Sequence, residues 1–302
     1  MKRFLICNAD DFGASKAITN AIIQAHCNGI ITSTTLMANM PAVVYACQKA
    51  EELPKLGIGV HLNLTAGKPV LVPDKIPDLL DAEGSFLPAR IQGSRLWHNS
   101  KIGAQIEKEF SAQIQKVLNL GIRPTHVDSH HHITRFPVSL KAMAKIAREF
   151  GITVCRTPYG YYQTACQAPI DDRLRCFALN AKHIVRIGRW AIVHFVLRYV
   201  YKFSTPDRKI VRSWFVPAKK DAKENLLTLL TNLPPGITEI SFHPGPSDPD
   251  PIMDQHEGAA VRERDLVLTT DPDMMDVVFQ NNIELISFKQ LQNIQNGSNV
   301  NR

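Results

Sequence analysis

Short apolar runs alternate with amphipathic stretches along most of the chain. Phe4-Leu5-Ile6-Cys7 is too short for a helix and reads as a buried parallel strand. Ser15 then reads as the N-cap of a helix carrying Ala17, Ile18, Ala21, Ile22 and Ala25 on one face. Gly29 to Met37 is β-branched and predicts a second strand, Pro41 opens a helix to about Glu52, and Gly57 to Leu64 predicts a third strand. The stretch from Val70 to Ser100, punctuated by Pro73, Pro77 and Pro88, reads as an irregular functional loop or lid. Helical periodicity returns from Ile102 to Leu118, and Thr125 to His132 forms a strand giving way to loop. Pro137 opens a helix that Gly151 stops, and Thr153 to Thr157 is a further strand.

The rhythm breaks between Gly160 and Thr205, where Lys182 to Phe203 mixes large apolar residues with Arg186, Arg189, Arg198 and Lys202. On a helical wheel Ile184, Ile187, Ala191, Phe195 and Val196 share a face. The alternation resumes with a strand at Ser213 to Val216, a helix from about Asp221 to Leu230 and a strand at Ile237 to Phe242. A long helix within Leu266 to Asn281 and a last strand at Ile283 to Ser287 follow. This order predicts an α/β fold, a parallel (β/α) barrel, distorted or incomplete, with a helical insertion near residues 160–205. One domain spans 1–292, and 293–302 reads as a polar, frayed tail.

The formal charge of +7 narrows the partners little, because many basic residues fall in Lys182 to Arg212 and the rest alternate with acids. No basic stripe with regularly placed aromatics is present, which argues against nucleic acid. The six cysteines form no C-x-x-C pair and read as small buried hydrophobes in a reducing cytoplasm. Asn8 and Asp10 cut short the apolar run after Met1-Lys2-Arg3, so it cannot be a signal-peptide core, and no stretch is a membrane span.

Chemistry concentrates at four predicted strand ends: Asp10/Asp11, His61/Asn63, Asp128/His130 and His243. In a parallel barrel those ends converge on one face, where such folds keep their sites. Adjacent Asp10 and Asp11 repel unless a cation lies between them or one is protonated; alternatively they cap a helix in an Asp-rich turn. Alternation lets His126, Asp128 and His130 share a strand face, but spacing alone does not choose the ligand. Two imidazoles and a carboxylate with open water positions is an arrangement of hydrolytic metals.

Asn8-Ala9-Asp10-Asp11-Phe12-Gly13, Gly59-Val60-His61-Leu62, Thr125 to His132 and His243-Pro244-Gly245 together resemble the YdjC-like carbohydrate deacetylases, in order and spacing over nearly the whole chain. The resemblance implies a barrel-like fold and hydrolysis of the linear amide of an N-acetylated amino sugar. It further implies Asp11, His61 and His130 as metal ligands and Asp10 as base. It suggests magnesium, whereas ligand softness favours zinc or another transition metal. His243 is the candidate acid for the departing amine, and Asn63 and Asp128 are candidate substrate contacts. Metal-dependent phosphoester hydrolysis is a second class, though it usually wants more carboxylates, and a non-catalytic carbohydrate- or lipid-binding protein is a third. The insertion reads as a helical excursion on the barrel, a homodimer surface, or a helix lying peripherally on the inner face of an anionic membrane. The last suits a lipid-linked substrate rather than a soluble oligosaccharide.

Overall fold

The first strand runs through the carboxylates instead of stopping before them. In the computed structural model, which describes residues 2–157, 188, 190–210, 222–246 and 259–300, β1 spans Arg3–Phe12. The strand can extend that far because its polar side chains are partnered. Asn8 and Asp10 hydrogen bond to each other, while Leu5, Cys7 and Ala9 pack among the main core residues, which include Ile18 and Ile22. Helix α1 (Lys16–Cys27) begins at Ser15, whose hydroxyl accepts the Ile18 amide at 3.2 Å, and buries Ile18, Ala21, Ile22 and Ala25 as expected. Ala17 faces solvent.

Strands β2 (Ser33–Leu36), β3 (Gly57–Leu62), β4 (Val127–Ser129), β5 (Arg208–Ile210) and β6 (Gly236–Phe242) are all parallel, in the order β4-β3-β2-β1-β6-β5. Parallel bridges Val127–Cys155 and Val154–Ser204 continue the sheet beyond β4. β7 (Ile283–Leu285) pairs with Arg3 to Leu5 of β1, below the point where β2 joins the strand at Asn8. The parallel strands curl into an incomplete barrel flanked by helices. These are α2 (Val43–Ala50), α4 (Gly103–Asn119), α5 (Pro137–Glu149), α6 (Ala222–Thr231), α7 (Ala259–Thr270) and α8 (Pro272–Gln280), with α3 (Ala89–His98) preceding α4. The strand expected at Ser213 to Val216 lies outside the described residues.

Three departures from the sequence reading have local causes. The proline-marked stretch contains α3, which starts directly after Pro88 and buries Gln92 and Leu96. The helix expected within Leu266 to Asn281 is two, because Pro272 removes a backbone donor and Asp271 caps α8 through the Asp273 amide. The polar tail is largely helical: α9 (Phe288–Val300) sends Phe288 and Leu291 into an inner cluster with Ile6, Val154, Ile237 and Ile286. This second, small core fills the barrel below the carboxylates.

His126 belongs to that floor rather than to the site. Its ring stacks on Phe288 at 3.8 Å and 17°, and a Cβ on Gly59 would meet it at 2.6 Å. Gly59→Ala is therefore expected to destabilise the protein by about 1–3 kcal/mol through overpacking, read from urea midpoints. An unchanged midpoint would show that the His126 ring can move aside.

In the insertion, 188 and 190–200 are helical, and the expected contributions of Ile184, Ile187, Arg186 and Arg189 lie outside the described residues. The buried side is Leu197 with partly buried Val193 and Val196. Phe195, expected on the buried face, is 57 % exposed, alongside Ile192 at 63 %. No helix among the described residues is long and apolar enough to cross a membrane.

Candidate active site

Consecutive residues of a regular strand point to opposite faces, so Asp10 and Asp11 could not both face one site. A bulge resolves this. Between Ala9–Thr34 and Phe12–Leu36, β1 advances one residue more than β2, and Asp11 adopts φ +72°. Aspartate tolerates this left-handed region better than most residues. Gly13 follows at φ +83°, where a Cβ would come within 3.0 Å of Leu36 and 3.2 Å of the Val43 backbone. The two carboxylates thus lie on the same side at the C-terminal end of β1.

Asp10 is gripped by Arg156, whose Nη2 and Nη1 donate to Oδ1 and Oδ2 at 2.6 and 2.8 Å, while Asn8 donates to Oδ1 at 2.9 Å. The same guanidinium reaches Asp128 Oδ2 at 2.8 Å and Glu239 Oε1 at 2.6 Å. Burial alone would raise the pKa of Asp10 and Asp128. The Arg156 charge overrides it, holding Asp10 well below the carboxylate range and Asp128 below its usual value. For Glu239, deeper in the barrel, burial wins and the pKa rises.

Asp10, His61 and Asp128 each offer a ligand atom within 4.8 Å of the others, the one such group among the described residues. Its chemistry is nevertheless that of an ion-pair network, because Arg156 already holds both carboxylates and a metal ion would have to displace it. A second donor set lies one step away. His61 Nδ1 donates to Asp128 Oδ1 at 2.6 Å, which leaves the Nε2 lone pair directed toward Asp11 Oδ1 at 3.6 Å. Burial lowers the His61 pKa, but the charges of Asp128, Asp10 and Asp11 and the Asp128 hydrogen bond outweigh it, and the net shift is upward. Asp11 Oδ1 is buried with no hydrogen-bond partner among the described residues, while Oδ2 accepts from Arg262 Nη2 at 2.8 Å. Burial opposes ionisation of Asp11, yet Arg262 and His243 keep its pKa low.

His130 stands at the start of a 3-10 turn (His130–Arg135), and its ring lies 5.6 Å from that of His61. Thr65 Oγ1 engages His130 Nδ1 at 2.8 Å, so Nε2 is the ring nitrogen outside that contact. Burial and neighbouring His131 hold the His130 pKa well below normal, the neutral form a metal needs. His131 and His132 both take φ +51°, so the chain turns away after His130 and the run does not continue as a strand. An orphaned carboxylate oxygen 3.6 Å from one oriented imidazole, with a second imidazole ring 5.6 Å from the first, has the donor chemistry for a divalent cation, though the ligand atoms of Asp11, His61 and His130 do not all lie within 4.8 Å of one another.

The remaining candidates separate. His243, at the end of β6, places Nε2 3.7 Å from Asp10 Oδ2 and is fixed by its amide donating to Asp265 of α7. Asn63 is turned inward: its Nδ2 donates to Asn39 Oδ1 and the Ala66 carbonyl, and its Oδ1 accepts the amides of Thr65 and Ala66. It shapes the loop that presents Thr65. Asp128 has both oxygens taken by His61, Arg156 and Thr35. Both side chains are engaged with protein partners, and each orients a neighbour. Arg156, Glu239, Arg262, Thr35 and Thr65 stand in no sequence motif. A lone arginine in Thr153 to Thr157 carries no motif, though its position at a strand end was the available signal.

The sequence matches the family model described as YdjC-like protein over residues 4–280. A carbohydrate deacetylase of Thermoanaerobacter pseudethanolicus is 31 % identical over 293 residues, covering 96 % of this chain and 100 % of that protein. A chitooligosaccharide deacetylase of Salmonella typhimurium is 38 % identical over 159 residues, 51 % of this chain and 59 % of that one. A solved structure from Enterococcus faecalis V583, provisionally described as a cellobiose-phosphate cleavage protein, superposes with TM-score 0.74 at 27 % identity, covering 96 % of this chain and 99 % of that one. By sequence along almost its full length, this chain belongs to the YdjC-like protein family.

Proposed function

We propose that the chain is a metal-dependent hydrolase that removes the N-acetyl group from an amino sugar in an oligosaccharide or glycolipid. The observation that carries this reading is the orphaned Asp11 Oδ1 facing His61 Nε2, with a second carboxylate, Asp10, beside it and held apart by Arg156. Asp11, His61 and His130 would hold one divalent cation, magnesium by family resemblance or zinc by ligand softness. When bound, the cation supplies a Lewis acid for the acetyl carbonyl and lowers the pKa of water. Asp10 takes the proton from the attacking water at the oxygen nearest His243. Held so acidic by Arg156, Asp10 keeps that proton weakly, and His243 donates a proton to the departing amine. Arg156 fixes the base, while Asp128 and Thr65 hold the two imidazoles in their ligating tautomers.

Phosphoester hydrolysis usually wants more carboxylates than remain once Arg156 holds Asp10, Asp128 and Glu239. The exposed Ile192, Phe195 and Tyr199 are where the carrier of a lipid-linked sugar or a second subunit would meet the chain. Free thiols at Cys7, Cys27, Cys47 and Cys155 suit a reducing compartment, consistent with the cytoplasm.

The test pairs activity with metal content. Acetate and free amine should appear together from at least one member of a panel of acetylated oligosaccharides and glycolipids. Asp11→Ala, His61→Ala and His130→Ala should each bind less metal by elemental analysis and lose turnover while keeping the native circular dichroism spectrum. Full metal occupancy in all three variants would remove the ligand assignment. Absence of acetate release from every substrate would remove the activity.

A further inference from the structure

A pocket lies beside the Asp10–Arg156 pair, between the end of β4, the segment at Cys155 to Thr157, the 190–197 helix and β5. Its described charged lining is Lys209, Arg135 and Arg156 against the carboxylate of Asp128, and Met143, Val193 and Leu197 give it apolar walls. Arg156 is already matched by three carboxylates. Lys209 is only 3 % exposed, and the charges of Glu239, Asp10 and Asp128 act on it without any of them closing a hydrogen bond to its amine among the described residues.

Burying an ammonium with nothing to accept its three donors is costly. The nearest structural explanation would be pairing with Glu239, its register partner across β5 and β6. Yet Glu239 Oε2 is itself buried without a hydrogen-bond partner, so the two side chains do not close on each other. The Lys209 side chain lines the pocket instead. We propose that Lys209 anchors an anion subsite, which takes a carboxylate or phosphate group next to the catalytic aspartate. Burial and the Arg156 charge push the Lys209 amine down to about 8, and an anion in the pocket would favour its charged form. If the deacetylase reading holds, the anion is either the acetate product or an acidic substituent of the sugar. Anion capture itself does not depend on that reading.

The experiment titrates the full chain with sodium acetate and with sodium phosphate, against sodium chloride at equal ionic strength. It is run with added magnesium and again after chelation, so that an anion held only by metal is recognised. Acetate or phosphate should raise the melting temperature of the chelated protein where chloride does not. Lys209→Met should weaken the affinity about tenfold to a hundredfold, the worth of a hydrogen bond to a charged group, and Lys209→Arg should largely retain it. Lys209→Met without anion should keep the parent protein's circular dichroism spectrum, so that lost anion affinity is not lost structure.

Two kinetic arms separate the sources. Loss of acetate product inhibition in Lys209→Met identifies the product. A KM raised only for an acetylated disaccharide bearing a carboxylate or phosphate, and not for a neutral one, identifies the substituent. Equal anion affinity in parent and Lys209→Met, no affinity for either anion, or a Lys209→Met chain that does not fold overturns the proposal. Failure of the parent protein to release acetate from either sugar counts against the deacetylase reading and leaves the titration to decide the subsite.

Discussion

Asp10→Asn lowers kcat by about two to four orders of magnitude, the usual worth of a positioned general base, while metal content stays that of the parent protein. The amide is the same size and keeps an oxygen for Arg156, but it cannot take a proton from water. It also turns an N–H₂ toward one guanidinium nitrogen, so some loss of stability accompanies the loss of rate. Single-turnover rates on metal-loaded protein separate the two effects. A kcat within a few-fold of the parent would move the base role to another group, with His243 the nearest alternative.

Arg156→Met is the more damaging change for the fold. It leaves Asp10, Asp128 and Glu239 buried around an apolar side chain, and breaking a buried ion pair from one side costs about 3–5 kcal/mol. The pH dependence should then reverse. In the parent protein Asp10 and Asp128 have depressed pKa values, so their stabilisation is present above the ordinary carboxylate pKa. That stabilisation is lost as pH falls through the depressed values. Without Arg156, burial dominates and the folded-state pKa values rise above the unfolded ones. The variant then gains stability as pH falls from 7 toward 5, by at most ~1.4 kcal/mol per pH unit for each proton taken up. Urea unfolding at several pH values reads the sign directly. A variant whose stability does not rise between pH 7 and 5 would mean that the three carboxylates find other partners.

Much of this arrangement is legible in the sequence. Alternating β-like runs and amphipathic stretches identify a parallel barrel because each periodicity reports one buried face. Strand ends bearing Asp10, His61, Asp128 and His243 then converge by topology. What stayed hidden depends on contacts distant in sequence. Asp128 reads as a ligand or a substrate contact until its partners are seen, and the role of Asn63 depends on a loop only three residues long. Arg156 belongs to no pattern, since its three carboxylates come from β1, β4 and β6. The α9 helix was hidden for a different reason. Its polar composition reads as a tail, and only Phe288 and Leu291 reveal that one side is buried.

The pairing of β1 bears on how this chain acquires its structure. Arg3 donates to the carbonyl of Asn281, 278 positions away, and Arg262 reaches Asp11 across 251. The Asp10 and Asp11 carboxylates therefore come to rest only after segments from both extremes of the sequence have met. Chain-closure entropy must be lost before those contacts reward it, which makes folding slow relative to a domain of local contacts. Until β6, β7 and α9 dock, β1 is an apolar strand with an open edge, prone to pairing with other chains. Refolding yield should accordingly fall with protein concentration more steeply than the native state's own solubility would suggest.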